Sequence, residues 1–299
     1  MEFFDNHAHL DDERFDTDRE EIIKQICNSG IAGFISAGYS LEGTKKALEL
    51  AHKYSFIYTT AGISPNDIPQ SEEELWKNIQ EIDDIINKEV NFKKIKEEEK
   101  ELSKLKQAII DVEKLKIKQN NNISKNSSKI VAVGEIGLDY YWEKDLAKRE
   151  LQKQAFIMQI ELANKYNLPI VIHTREAVMD TLEILKKHQV IKKGVFHCCP
   201  LNRELVKEAL KLGYYISFAG PITFKNSKNA NEIIELVPLD KMLIETDSPY
   251  LSPEPNRGKR NDSRNVKYMA EKIASVRQIP VETIAKTTYE NACRVFEIE

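Results

Sequence analysis

Short β-rich runs alternate with longer helical patterns eight times along this chain, and that alternation leaves few folds open. The strand candidates are 2–7 (EFFDNH), 33–37 (GFISA), 57–62 (IYTTAG), 130–135 (IVAVGE), 169–173 (PIVIH), 194–198 (GVFHC), 214–218 (YYISF) and 242–247 (MLIETD). Between them, segments such as 17–28, 41–53, 146–166, 176–188 and 202–212 carry apolar residues at i, i+3 and i+4, the spacing of one helix face. Repeated βα units build a parallel sheet, and eight of them predict a (β/α)8 TIM barrel. A length of 299 residues by itself admits either two domains or one large barrel. The eightfold pattern spans 1–299 and reads as a single barrel.

The third helical stretch is longer than an ordinary globular helix, running from Ser71 to about Lys118. Within it Leu102, Leu105, Ile109 and Val112 keep a 3-4-3 spacing while Glu and Lys fill the polar positions, and it ends in the polar connector QNNNISKNSSK (119–129). Residues 85–128 therefore read as a helical, charged insertion after the third strand. A solvated elaboration of the outer ring and a partner-binding arm are both compatible with that pattern.

In such barrels the functional face is built at the C-terminal ends of the strands. His7 and His9 close the first predicted strand, Glu135 the fourth, His173 the fifth, His197 the sixth and Asp247 the eighth. Residues i and i+2 of a strand point to the same side, so His7 and His9 can reach one metal ion from one edge. His52 and His188 fall on helical segments and read as structural. Four imidazoles and two carboxylates exceed what one tetrahedral ion requires. A two-metal centre accommodates them, with Glu135 bridging, His7, His9 and Asp247 on one ion, and His173 and His197 on the other. Such a pair of divalent ions activates water for hydrolysis. Imidazoles suit Zn, Mn or Fe, and carboxylates with a phosphate substrate admit Mg.

The flanking segments bear on the substrate. Arg175, two residues beyond His173, can hold a phosphate bidentately or pair with a helix carboxylate. The hydroxyls, carboxylates and aromatics of GEIGLDYY (134–141) and ETDSPYL (245–251), Ser248 among them, can orient the metals, contact substrate or stack on bases, while Tyr140, Tyr141 and Tyr250 equally fit a role in packing the wall. A formal charge of −4 gives no whole-molecule basic field, so a nucleic acid would have to be held locally. Cys27, Cys198, Cys199 and Cys293 show no C-x-x-C spacing, which suggests neither a disulfide framework nor a zinc knuckle. No apolar run reaches the roughly 18 residues of a membrane span, and no signal-peptide pattern opens the chain. A cytoplasmic protein is expected.

Taken together, DNHAHL (5–10), GEIGLDYY, IHTRE (172–176), FHC (196–198), ETDSPYL and the C-terminal NACRVF (291–296) resemble the TatD family of metal-dependent deoxyribonucleases, within the amidohydrolase-type barrels. The resemblance spans the chain apart from the insertion. It implies a (β/α)8 barrel, metal ligation by His7, His9, Glu135, His173, His197 and Asp247, and cytoplasmic cleavage of DNA phosphodiesters, as a 3′-to-5′ exonuclease in some members. Glu135 and Asp247 would be catalytic, Asp247 also as proton acceptor for the attacking water. The chain departs from the family pattern in two places. GISP (62–65) puts Ser64 where a histidine is usual, leaving a hydroxyl that can donate to a phosphate oxygen but carries no charge. The other is the 85–128 insertion. Two other functions compete: hydrolysis of another ester or amide, such as an aminoacyl-tRNA ester, and an interaction protein with a vestigial metal site.

Overall fold

A computed structural model describes residues 1–91 and 128–298. Eight strands, β1 (Phe3–Ala8), β2 (Ile31–Ser36), β3 (Ile57–Ala61), β4 (Ile130–Asp139), β5 (Ile170–Arg175), β6 (Val195–Phe196), β7 (Tyr215–Phe218) and β8 (Met242–Ile244), pair in chain order, each parallel to the next. The seam between β8 and β1 is closed just past the end of β8, by a parallel bridge between Ala8 and Ser248. Two backbone hydrogen bonds hold it: Asp247 N–H donates to His7 O at 2.9 Å, and His9 N–H to Ser248 O at 2.6 Å. The barrel thus shuts at His7, His9 and Asp247, three of the candidate metal ligands.

Helices α1 (Arg19–Cys27), α2 (Leu41–Lys53), α3 (72–91), α4 (Leu146–Tyr166), α5 (Val178–Lys187), α6 (Arg203–Lys211), α7 (Ala230–Leu236), α8 (Val266–Arg277) and α9 (Val281–Phe296) complete the described fold. Their starts are set locally: side-chain oxygens of Ser40, Asp145 and Asn202 accept from Gly43 N, Ala147 N and Leu205 N at 3.0, 2.8 and 2.9 Å. These contacts satisfy amide groups that a helix leaves without partners in its first turn. None of the helices among the described residues is long and apolar enough to cross a membrane.

Two cores flank the sheet, as expected for a parallel sheet buried on both faces. The larger joins strands to helices through residues such as Phe34, Ile172 and Phe156. The smaller draws on every strand, through Phe4, Ile35, Tyr58, Val131 with Ala132, Val171, Val195, Tyr215 and Leu243, together with Val295 and Phe296 of α9. A ring drawn from all eight strands can meet only across the barrel axis, so this layer is the interior. Two residues further along three of these strands stand His173, His197 and Glu245, which strand alternation turns to the same interior side.

Several boundaries differ from the sequence-based expectation. β4 continues four residues past Glu135, because Ile136 to Asp139 pair with Ile172 to Arg175 of β5. Gly137, at φ +138°, permits that approach: a Cβ there would lie 2.0 Å from the His173 carbonyl oxygen. Glycine here admits a neighbouring backbone rather than ending the strand. β6 and β8 end earlier than expected, with the backbone turning to positive φ at Cys198 (37°) and Asp247 (54°). Helices α7 to α9 were not among the segments that helical spacing singled out. The start of the 85–128 insertion continues α3; its portion 92–127, including Leu102, Leu105, Ile109, Val112 and most of the polar connector, lies outside the described residues.

Candidate metal centre

All six residues predicted to hold metal meet at the C-terminal mouth. His7 Nε2 lies 3.2 Å from His9 Nε2, and the Asp247 carboxylate faces the pair, with Oδ1 3.8 Å from the first and 3.4 Å from the second. On the opposite side His173 Nδ1 lies 3.1 Å from His197 Nε2. Glu135 stands between the two groups. Its Oε2 is 3.3 Å from His7 Nε2 and 3.7 Å from His9 Nε2, whereas its Oε1 is 2.9 Å from His173 Nδ1 and 3.2 Å from His197 Nε2.

These separations fit a divalent ion. Two donors each about 2.1 Å from one ion lie about 3.0 to 3.4 Å apart at octahedral or tetrahedral angles, the spacing of both imidazole pairs. His7, Glu135 and His197, and likewise His7, His9 and Asp247, present donor atoms close enough together to share an ion. The donor set of neutral imidazoles and carboxylates suits Zn or Mn, and its carboxylates admit Mg.

Two further carboxylates support the cluster. Asp139 Oδ2 lies 3.0 Å from His173 Nε2, while its Oδ1 accepts from the backbone N–H groups of Tyr141 and Trp142 at 3.0 and 3.1 Å. His173 is therefore held by its Nε2 and turns Nδ1 to the centre. Glu245, fully buried, faces His197 Nδ1 at 3.4 Å and accepts from Cys198 N–H at 2.5 Å. A carboxylate behind an imidazole fixes its tautomer and ring orientation. The motifs GEIGLDYY and ETDSPYL had marked these surroundings without singling out either residue. The signal for Glu245 is its place two residues beyond the interior Leu243; for Asp139 it is the unforeseen extension of β4. Asp139→Ala is expected to weaken metal affinity about 10- to 100-fold without unfolding the barrel, as read by metal titration and thermal melting. Unchanged affinity would show that Asp139 does not orient His173.

Burial alone would push the imidazoles down and the carboxyls up, but their mutual charges outweigh it in most of them. His9 is pushed up to about 9 by Asp247 and Glu135 against its burial, and His197 is raised well above the usual imidazole range by Glu135 and Glu245. Glu135 is held well below the usual carboxylate range despite burial, by His197 and His173, and Asp247 is lowered by His9 and His7. His7 goes the other way, lowered by burial and by His197. The raised imidazoles of the metal-free cluster, His9 foremost, hold protons more tightly than a free imidazole, and an incoming ion must displace them. Metal binding is expected to release protons, with apparent affinity rising about tenfold per pH unit for each proton displaced, until pH passes about 9 for His9. Calorimetry in buffers of different ionisation enthalpy measures this; affinity independent of pH between 6 and 8 would refute it.

The expected substrate contacts are placed less uniformly. Arg175 is exposed at the end of β5, its guanidinium carbon 3.7 Å above the Tyr141 ring, with no ion-pair partner among the described residues. Ser64 is buried and its hydroxyl donates to Asp67 Oδ2 at 2.6 Å. Ser248 is fully buried, and its hydroxyl has no hydrogen-bond partner among the described residues. Of the tyrosines, Tyr140 donates to Asp180 Oδ2 at 2.7 Å, and Tyr250 to Asp12 Oδ2 at 3.2 Å. His52 and His188 lie away from the cluster, on α2 and at the end of α5.

An eight-stranded parallel barrel with imidazoles and carboxylates converging at its mouth defines a hydrolase of the metal-dependent class. The chain matches the model of the TatD related DNase family over residues 4–297 and belongs to that family. It is 38% identical to YabD of Bacillus subtilis, described as an uncharacterized metal-dependent hydrolase, over 99% of each chain. YcfH of Escherichia coli, of the same description, is 43% identical over 57% of this chain and 64% of its own. Among solved structures, YJJV, a TatD homolog from Escherichia coli, superposes with a TM-score of 0.81 at 23% identity, covering 99% of this chain and 98% of its own. A TatD family hydrolase from Entamoeba histolytica gives 0.72 at 20% identity, covering 99% and 98%. At these identities the structural likenesses speak for the fold alone.

Proposed function

We propose that this protein is a two-metal phosphodiesterase that cleaves DNA, acting as a cytoplasmic deoxyribonuclease with one catalytic unit over residues 1–299. The observation that carries the reading is Glu135, whose two oxygens each face a separate imidazole pair. His7, His9 and Asp247 would hold one ion and His173 and His197 the other, with Glu135 placed to serve both. When bound, two such ions lower the pKa of water and neutralise charge developing on phosphoryl oxygens. The chain's own part is to orient and to move a proton. Of the two central carboxylates Asp247 is the more open to solvent, 14% against 8%, and it accepts the proton of the attacking water. Arg175 pins a substrate phosphate; Ser64 and Ser248 are buried, and a substrate contact from either would require its hydroxyl to turn toward the mouth.

Cleavage of a 3′-labelled single-stranded oligonucleotide after chelation, with Mg, Mn or Zn restored separately, tests the reading. Metal-restored cleavage supports it, and the position of the first products separates exonuclease from endonuclease. Absence of cleavage by metal-loaded protein overturns it. One observation favours a second reading, hydrolysis of another ester such as an aminoacyl-tRNA ester: Ser64 carries no charge and its hydroxyl donates to Asp67. Turnover of such an ester without nuclease activity would establish that alternative. Deletion of 85–128 asks whether the insertion is a partner arm, in which case catalysis survives its loss.

A further inference from the structure

Beside the metal cluster, a cleft of about 160 Å³ opens between the loop after β3 and the loop after β4, bounded by Pro65, Asn66, Gln70, Trp142 and Lys148. Its wall is the Trp142 ring, 67% exposed and standing edge-on to Tyr141 with centroids 4.7 Å apart. A large aromatic left this open contributes nothing to the core, and the hydrophobic effect opposes its exposure. Single exposed apolar residues are ordinary, but this one is tied directly to the site. Its backbone N–H donates to Asp139 Oδ1 at 3.1 Å, and Asp139 Oδ2 holds His173 at 3.0 Å. Across the cleft Asn66 Nδ2 donates to the same Oδ2 at 3.2 Å. Both sides of the cleft are therefore positioned by one carboxylate, which also positions an imidazole of the metal cluster.

Cations accompany the aromatic wall. The Arg175 guanidinium carbon lies over Tyr141, 3.7 Å from the ring centroid, and 5.7 Å from that of Trp142. A guanidinium stacked in this way keeps its N–H edges free for a phosphate. Lys148 also borders the cleft but pairs there with Glu143 at 4.0 Å, which among the described residues leaves Arg175 as the cation free for a phosphate. A planar ring to stack on, amide groups at its margin and cations for the linking phosphates are the requirements of a nucleobase site on a single strand.

Resting on the phosphodiesterase reading above, we propose that this cleft is a nucleobase subsite: the base beside the scissile phosphate stacks on Trp142, Asn66 and Gln70 face its polar edge, and Arg175 holds its phosphate. Trp142 is a positioning residue that acts through substrate placement. The subsite selects for an unpaired base, because a base held in a duplex offers no free face to the ring.

Steady-state cleavage of a single-stranded oligonucleotide by the metal-loaded protein tests this, alongside the same oligonucleotide made abasic beside the scissile bond. For Trp142→Ala a rise in KM of roughly 5- to 150-fold is expected, the range commanded by stacking of one base, with kcat within about twofold. Trp142→Phe restores most of the loss. On the abasic substrate the wild type and Trp142→Ala should be indistinguishable. Equal KM values on the intact strand would overturn the subsite and leave the nuclease reading standing. A wild-type protein that cleaves neither strand under any metal would overturn that reading and the subsite with it.

Discussion

Glu135→Ala is expected to abolish metal-dependent hydrolysis, lowering kcat/KM by about 10⁴-fold or more, the order seen when one member of a catalytic unit is removed. The size of the effect follows from position. Both oxygens of this carboxylate are engaged, one toward His7 and His9 and one toward His173 and His197, so truncation removes a donor from both halves at once. It also removes the negative charge that raises His197 and His9, leaving buried imidazoles facing one another. Stability should fall chiefly in the presence of metal. A ligand that binds only the native state stabilises by about 2.7 kcal/mol at a hundred times its Kd, and the variant forgoes that gain. Thermal melting with and without Mn or Zn measures it. A variant that keeps both its metal-induced rise in Tm and its activity would exclude Glu135 from the centre.

Asp247→Asn separates chemistry from architecture. Asp247 adopts φ 54°, a left-handed conformation that Asn tolerates better than most residues, and its backbone N–H closes the barrel seam onto His7 O. The amide preserves the shape and the backbone bond while removing the charge and the capacity to accept a proton. A fall in kcat of about 10³- to 10⁴-fold is expected, with melting in the metal-free state little changed. The substitution should also bring His9 down from about 9 toward its ordinary range, since Asp247 contributes to the rise. In the metal-free protein the His9 resonance, followed by NMR, would then titrate at lower pH than in the wild type. Retained turnover, or a His9 titration that does not move, would remove Asp247 from its assigned role.

The barrel and its six converging side chains were legible in the chain because both rest on local periodicity. Alternation of strand and helix patterns specifies eight parallel units, and placement of His7, His9, Glu135, His173, His197 and Asp247 near predicted strand ends brings them to one mouth once the barrel closes. Strand limits were less legible. The extension of β4 to Asp139 depends on pairing with β5 and on the space Gly137 leaves for the His173 carbonyl, a contact between segments more than thirty residues apart. Asp139, Glu245 and the Trp142 cleft share that dependence: nothing in their neighbours along the chain says which imidazole or loop they will meet. Residue type and spacing by themselves determined the fold class and which six candidate donors would converge at one mouth. Only the tertiary structure decided that the two oxygens of Glu135 divide the imidazoles into pairs and that His173 turns Nδ1 inward, because side-chain direction is settled by packing across strands rather than by order along them.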